Sequence, residues 1–185
     1  VNSRAAASWI LERGRDAGRR PFFLSCGMFS THREYPDPGP EDNADRLAPP
    51  FPLADVPANR EDFARYRASA RVLDSCVGTV LDALDASGLA EDTVVLCTTD
   101  HGIAFPHMKC TLYDTGIGVS LMLRIPGQDP GARQALVSQV DLFPTLCNLV
   151  GTPVPASVEG RSLLPVLRSP QAAVHDTLYR AYRHL

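Results

Sequence analysis

A carboxylate and an imidazole stand side by side at Asp100 and His101, a cation follows nine residues later at Lys109, and a second imidazole lies far upstream at His32. A carboxylate such as Asp100 is a natural ligand for a hard cation, calcium or magnesium. His101 is the less usual partner, because calcium prefers oxygen. An ammonium group such as Lys109 suits a different task, holding negative charge that develops on an oxygen. Each residue also has a plain reading. Asp-His-Gly is common where a strand turns into a loop, and most lysines and loop histidines are simply solvated.

What positions these groups decides between the readings. Thr93-Val94-Val95-Leu96-Cys97-Thr98-Thr99 is a β-branched, apolar run with no polar alternation, ending at Asp100-His101-Gly102. Such a run predicts a strand covered on both faces, as in a parallel sheet. Ligands of open α/β sheets bind just beyond the carboxyl ends of strands, where Asp100 and His101 fall. Gly102 is expected to let the backbone turn away sharply. Upstream, residues 5–15 read as a helix with Ala6, Trp9, Ile10 and Arg13 at helical spacing, followed by a buried strand at 22–26. Residues 33–58 are rich in proline and acid, a long loop lying over a site or a mobile segment. The longest helix is predicted to start at Asn59 or Glu61, with Phe63, Tyr66, Ala70, Leu73, Val77, Val80, Leu81 and Leu84 as its apolar stripe and Gly88 as its stop. A third strand at 119–125 and a helix at 141–149 complete an α/β pattern with a largely parallel sheet.

Composition excludes little but is useful. The 185 residues, 44% hydrophobic and 21% charged, suit one globular domain, read here as spanning 1–185. A formal charge of -3 gives no case for nucleic acid as a partner. No apolar run reaches the length of a membrane span. Five cysteines without a C-x-x-C pair argue against a zinc knuckle or a complete disulfide framework. Cys26, Cys97 and Cys147 read as core residues, and Cys110 as an inert thiol beside Lys109.

Several separate blocks then agree. Tyr66-Arg67-Ala68-Ser69-Ala70-Arg71-Val72-Leu73-Asp74, Ser87-Gly88-Leu89, Asp100-His101-Gly102, Lys109-Cys110-Thr111-Leu112-Tyr113-Asp114, Leu121-Met122-Leu123-Arg124-Ile125-Pro126-Gly127, Val140-Asp141-Leu142-Phe143-Pro144-Thr145-Leu146 and Glu159-Gly160-Arg161-Ser162-Leu163-Leu164-Pro165 occur in that order. Over most of its length, from about Pro21 to Leu167, the chain resembles the sulfatase family of the alkaline-phosphatase-like superfamily, nearest its heparan N-sulfatase branch. That resemblance implies an α/β, alkaline-phosphatase-like fold with a mostly parallel sheet flanked by helices, present here as a partial domain. It implies a sulfatase that hydrolyses sulfate esters or sulfamates, with sulfated small molecules or sulfated glycans as substrates. By the same resemblance, Asp100 and His101 are metal ligands for Ca2+, with Mg2+ the other candidate. Lys109 and His32 are the catalytic and substrate-binding groups that hold sulfate and leaving group. His107 and His184 are weaker candidates. The His32-Arg33 pair matches the branch, although its preceding His-Asp-Pro is replaced by Phe29-Ser30-Thr31.

One part of the family's machinery is missing. Sulfatases use a formylglycine made from Cys or Ser in Cys/Ser-x-Pro-x-Arg, and no cysteine or serine of this chain has that context. The paired aspartates that complete the family's metal site are missing too. The expectation is a central-to-C-terminal fragment, inactive alone, whose parent is matured by the formylglycine-generating enzyme and is periplasmic, secreted or lysosomal. Two rivals remain at this point: a phosphate mono- or diester hydrolase with a Ser or Thr nucleophile and two zinc ions, and a sulfated-glycan binding module that lost its nucleophile.

Overall fold

The computed structural model describes residues 2–18 and 20–179, which fall into two compact units that divide between Gln128 and Asp129. In the first, α1 (Asn2–Arg15) packs on α2 (Pro57–Ala86), the 30-residue helix that dominates the unit. Their contact buries Ala7, Ile10, Ala83, Leu84 and Leu89, with Leu11, Phe22, Val80 and Val95 closing the edges. Small residues let the two backbones approach. A methyl group at Gly14 would stand 2.6 Å from the Ser87 carbonyl oxygen.

The start of α2 precedes the expected one, because Pro57 occupies its first turn, where a fixed φ is favourable and the missing N–H costs nothing. The proline that looked like the end of the loop is therefore the beginning of the helix. The other end is as expected: Gly88 takes φ 69° and donates its N–H to the Asp85 carbonyl.

Residues 33–56 form a strap along α2, made of two short 3-10 turns (Pro40–Asp42 and Ala44–Arg46) joined by extended chain. Ion pairs hold it: Arg65 to Asp37, Arg60 to Asp55, and both Arg67 and Arg71 to Asp42. Asp42 is only 1% exposed and takes N–H bonds of 2.9 Å from Arg67 and of 2.9 and 3.0 Å from Arg71. The Arg71 bonds, and then those of Arg67, outweigh desolvation and hold the Asp42 carboxyl below its ordinary pKa. A carboxyl depressed on folding contributes stability that is present above its unfolded value, near pH 3.9, and is lost as pH falls through the lower folded value. Denaturation midpoints followed from pH 7 to pH 2 are thus expected to fall below about pH 4 in the parent. The fall should be shallower in Asp42→Asn, which begins from lower stability at neutral pH.

Two strands pair in the described residues, β1 (Val95–Thr98) and β2 (Leu121–Arg124), with Val95 opposite Arg124 and Thr98 opposite Leu121. Here the expectation of parallel neighbours is corrected: the pair is antiparallel. A parallel return needs a crossover long enough to cover the sheet. The connection, residues 99–120, is long enough but carries only the single turn α3 (Asp114–Ile117) and folds into a closed loop instead of a covering helix. Residues 22–26, expected as a third strand, are extended but belong to no ladder among the described residues. Phe22 packs edge-on to Trp9, whereas Phe23 is 83% exposed. The expected burial of the 93–99 run on both faces is not met either, since Val95, Leu96 and Cys97 are only part-buried and Thr98 is exposed.

The second unit is built around one carboxylate. A 3-10 turn (Gln139–Asp141) leads into α4 (Leu142–Leu149), close to the helix read from sequence, and α5 (Leu164–Arg168) packs nearby. Asp141, fully buried, accepts N–H bonds from Ser138 (2.8 Å) and Arg161 (2.8 Å), and His175 Nε2 lies 3.0 and 2.9 Å from its two oxygens. The Thr145 hydroxyl donates to the Asp141 carbonyl and accepts from the Leu163 N–H at 2.8 Å. The Val-Asp-Leu-Phe-Pro-Thr and Gly-Arg-Ser-Leu blocks thus lock into each other through Asp141 and Thr145.

Candidate functional site

The strand β1 ends two residues before Asp100, and everything from there to α3 is a loop closed on itself by glycine. The Gly102 N–H donates to the Gly116 carbonyl at 2.8 Å, and a methyl group on Gly102 would sit 1.8 Å from the Thr115 oxygen. Close approach, rather than an unusual φ, is what requires glycine here. The left-handed turns of this loop fall instead on His107 (φ 61°) and Cys110 (φ 63°). Phe105 and Met108 anchor the loop by burial, and the Lys109 N–H donates to the Ile103 carbonyl at 3.1 Å. Gly102→Ala is expected to cost about 2–3 kcal/mol by forced overpacking, measured by urea denaturation.

Asp100 and His101 project from this closed turn. His101 Nδ1 lies 2.7 Å from the Gly102 carbonyl, which can only accept, so Nδ1 is the donor there and Nε2 is the nitrogen turned toward Asp100. That Nε2 is 3.4 Å from Asp100 Oδ2. Two ligands at right angles around a cation at 2.3–2.6 Å would be separated by about 3.4 Å, so the pair has the spacing of adjacent positions on one divalent ion. The Asp100 side chain is 87% exposed and open to further ligands. Among the described residues no group of three His, Cys, Asp or Glu side chains surrounds a single point. The two residues fit part of a cation's shell, and other ligands would have to complete it.

Lys109 is half-buried on the far arm of the same loop and is the only lysine among the chain's 18 basic residues. His32 is exposed on the loop that precedes the strap, its ring 4.9 Å from that of Phe29 and its Nδ1 against the Arg33 carbonyl. Among the described residues no hydrogen bond or ion pair joins the side chains of His32 or Lys109 to Asp100 or His101. The link between the two loops is Arg33. Its Nε donates to the Ala104 carbonyl at 3.0 Å, its Nη1 donates to Asp62 of α2 at 2.8 Å, and Nη2 bonds the other Asp62 oxygen. Its guanidinium lies 4.6 Å from the Tyr35 ring centre and 5.1 Å from that of Phe105. The hydrogen bond to Asp62, above all, raises the Arg33 pKa over its ordinary value.

Around it Tyr35, Phe63, Tyr66 and Phe105 form one aromatic cluster, in which burial raises the pKa of both tyrosines. An open cleft of about 430 Å³ beside His32 is lined by Phe29, Glu34, Tyr35 and Ser69, among others. His107 is exposed on the loop, its carbonyl accepting from the Thr115 hydroxyl at 2.9 Å, and His184 lies outside the described residues. Sequence reasoning missed Arg33 and Asp141. The His-Arg pair and the Ser138-x-x-Asp141 capping pattern were the available signals.

These features place an exposed carboxylate and a neighbouring imidazole just beyond the end of a strand, on a closed loop that also carries Lys109. Comparison with known proteins then names the family. The sulfatase family model matches residues 5–152. Human N-sulphoglucosamine sulphohydrolase is 31% identical over 81% of this chain and 37% of its own length. Arylsulfatase K of Xenopus laevis is 33% identical over 63% of this chain and 24% of its own. A Bacteroides thetaiotaomicron structure, solved in work on metabolism of multiple glycosaminoglycans, superposes with a TM-score of 0.75 at 27% identity, over 92% of this chain and 39% of that one. The chain belongs to the sulfatase family and carries part of its alkaline-phosphatase-like fold. It spans only 24% to 37% of the length of these curated relatives.

Proposed function

We propose that this chain forms part of the catalytic domain of a sulfatase that hydrolyses a sulfate ester or sulfamate on a sulfated sugar. The observation that carries this reading is the Asp100–His101 pair, 3.4 Å apart where β1 ends, on a closed loop that also bears Lys109. The name of the human relative points to an N-sulfated glucosamine, and that of the frog relative to an aryl sulfate.

Asp100 and His101 would hold adjacent positions on a divalent cation, Ca2+ or Mg2+, and such a cation when bound polarises the sulfate oxygens. Lys109 would offset negative charge on the leaving-group oxygen, a task for a compact ammonium held in place by its loop. His32 would donate to a sulfate oxygen from the opposite loop. The nucleophile would be a formylglycine contributed from outside these residues and installed by the formylglycine-generating enzyme.

The reading is tested by expressing the full-length polypeptide that contains this chain and assaying sulfate release from nitrophenyl sulfate and N-sulfoglucosamine. Release of sulfate that depends on Ca2+ or Mg2+ supports it. Release of phosphate from nitrophenyl phosphate, with no sulfate from either compound, would instead favour a phosphoesterase of the same superfamily. Residues 1–185 alone are expected to release neither. Asp100→Asn is expected to weaken Ca2+ binding at least tenfold by calorimetry, with the fold retained by circular dichroism.

A further inference from the structure

We infer that Arg33 is a positioning residue that fixes the His32 loop against the Asp100–Lys109 loop, a role that rests on the sulfatase reading of those two loops. One guanidinium touches three elements: Asp62 on α2 through two N–H groups, the Ala104 carbonyl through Nε, and the faces of Tyr35 and Phe105. His32 is its immediate chain neighbour, and Ala104 lies midway between Asp100 and Lys109. A displacement of either loop must therefore break a bond to the same planar group.

Stability is a poor explanation for this arrangement. The Arg33 and Asp62 side chains are 40% and 33% exposed, so solvent screens their charge attraction, and the bidentate geometry is the distinctive feature of the pair. What the planar fork supplies is direction. Its N–H vectors are fixed relative to one another, so the carboxylate of Asp62 aims Nε at Ala104. A lysine at this place would keep the charge and lose that geometry. Loop placement matters because misplacing a reacting group by about 1 Å can cost about a hundredfold in rate.

The test uses Arg33→Lys, Arg33→Ala and Asp62→Asn in the full-length polypeptide, read by steady-state kinetics, thermal unfolding and amide hydrogen exchange. Arg33→Lys is expected to lower kcat by about 30- to 100-fold with KM changed less than threefold and the unfolding midpoint nearly unchanged. Asp62→Asn should lower kcat by less, and the double variant should be no worse than Arg33→Lys alone, because both act through one tie. The amides of Phe105, Met108 and Lys109 should exchange faster in Arg33→Lys while those in the middle of α2 do not. Unchanged kcat in folded Arg33→Lys, or a loss seen only in the unfolding midpoint, would overturn the inference. If the parent polypeptide turns over no sulfate at all, the functional reading has failed, and hydrogen exchange alone decides the tie: equal protection of the three amides in parent and variant refutes it.

Discussion

Replacing Asp141 with alanine is expected to destabilise the second unit by about 3–5 kcal/mol, seen as a large fall in urea midpoint. The estimate follows from what the buried carboxylate leaves behind, namely the Ser138 and Arg161 N–H groups and the His175 ring without their acceptor. Asp141→Asn should cost less, because an amide oxygen can still accept one of these bonds. His175→Ala should cost least, about 1–2 kcal/mol, since both backbone donors would remain satisfied. The order Ala, Asn, His175→Ala is the content of the prediction. Equal losses for all three would mean that the unit is held by its apolar contacts and that the carboxylate is incidental.

Lys109→Ala should give the largest loss of activity in the parent polypeptide, about 10²–10³ in kcat, the usual cost of removing one preorganised stabiliser of developing charge. Ca2+ affinity should stay nearly constant, because Lys109 is no ligand. Lys109→Arg should recover only part of the rate, since a planar fork does not replace a point charge at the same distance. Retention of full kcat by Lys109→Ala would move the lysine back to the class of ordinary solvated residues. The paired behaviour with Asp100→Asn, one variant affecting turnover and the other metal binding, separates the two arms of the loop.

How much of this was readable beforehand follows from the range of the forces involved. The position of α2 and its stop at Gly88 were legible, because helical periodicity and a left-handed glycine are signals within a few residues of each other. The same is true of α4 and of the cores of β1 and β2. Strand direction was not legible. The apolar run at 93–98 says that a strand forms, and nothing in it says which way its partner runs. Residues 22–26 carry an equally apolar pattern and yet make no ladder among the described residues, because pairing depends on a neighbour that the run itself does not encode. At the candidate site, Asp100 and His101 were singled out by residue type, and their mutual approach follows from adjacency. Gly102 was assigned the right importance for another reason, the Thr115 oxygen being distant in sequence by 13 positions. Arg33 and Asp141 were seen only as members of motif blocks and given no role of their own, because Asp62, Ala104, Arg161 and His175, their partners, lie 20 or more residues away.

The strap of residues 33–56 has a consequence for how it would let go. Its charges are unequally exposed: Asp37 and Asp55 are largely open to solvent, while Asp42 is shut away between Arg67 and Arg71. Dissolved ions weaken open pairs first, since their attraction falls off within a Debye length of about 10 Å at 0.1 M, and reach a buried pair much less. Raising ionic strength should therefore peel the strap from α2 at Asp37 and Asp55 while Asp42 stays pinned. The open pairs are thus expected to loosen before the buried one, and protease cleavage that begins near those two acids at high salt, leaving the Asp42 turn intact, is how that difference would show itself.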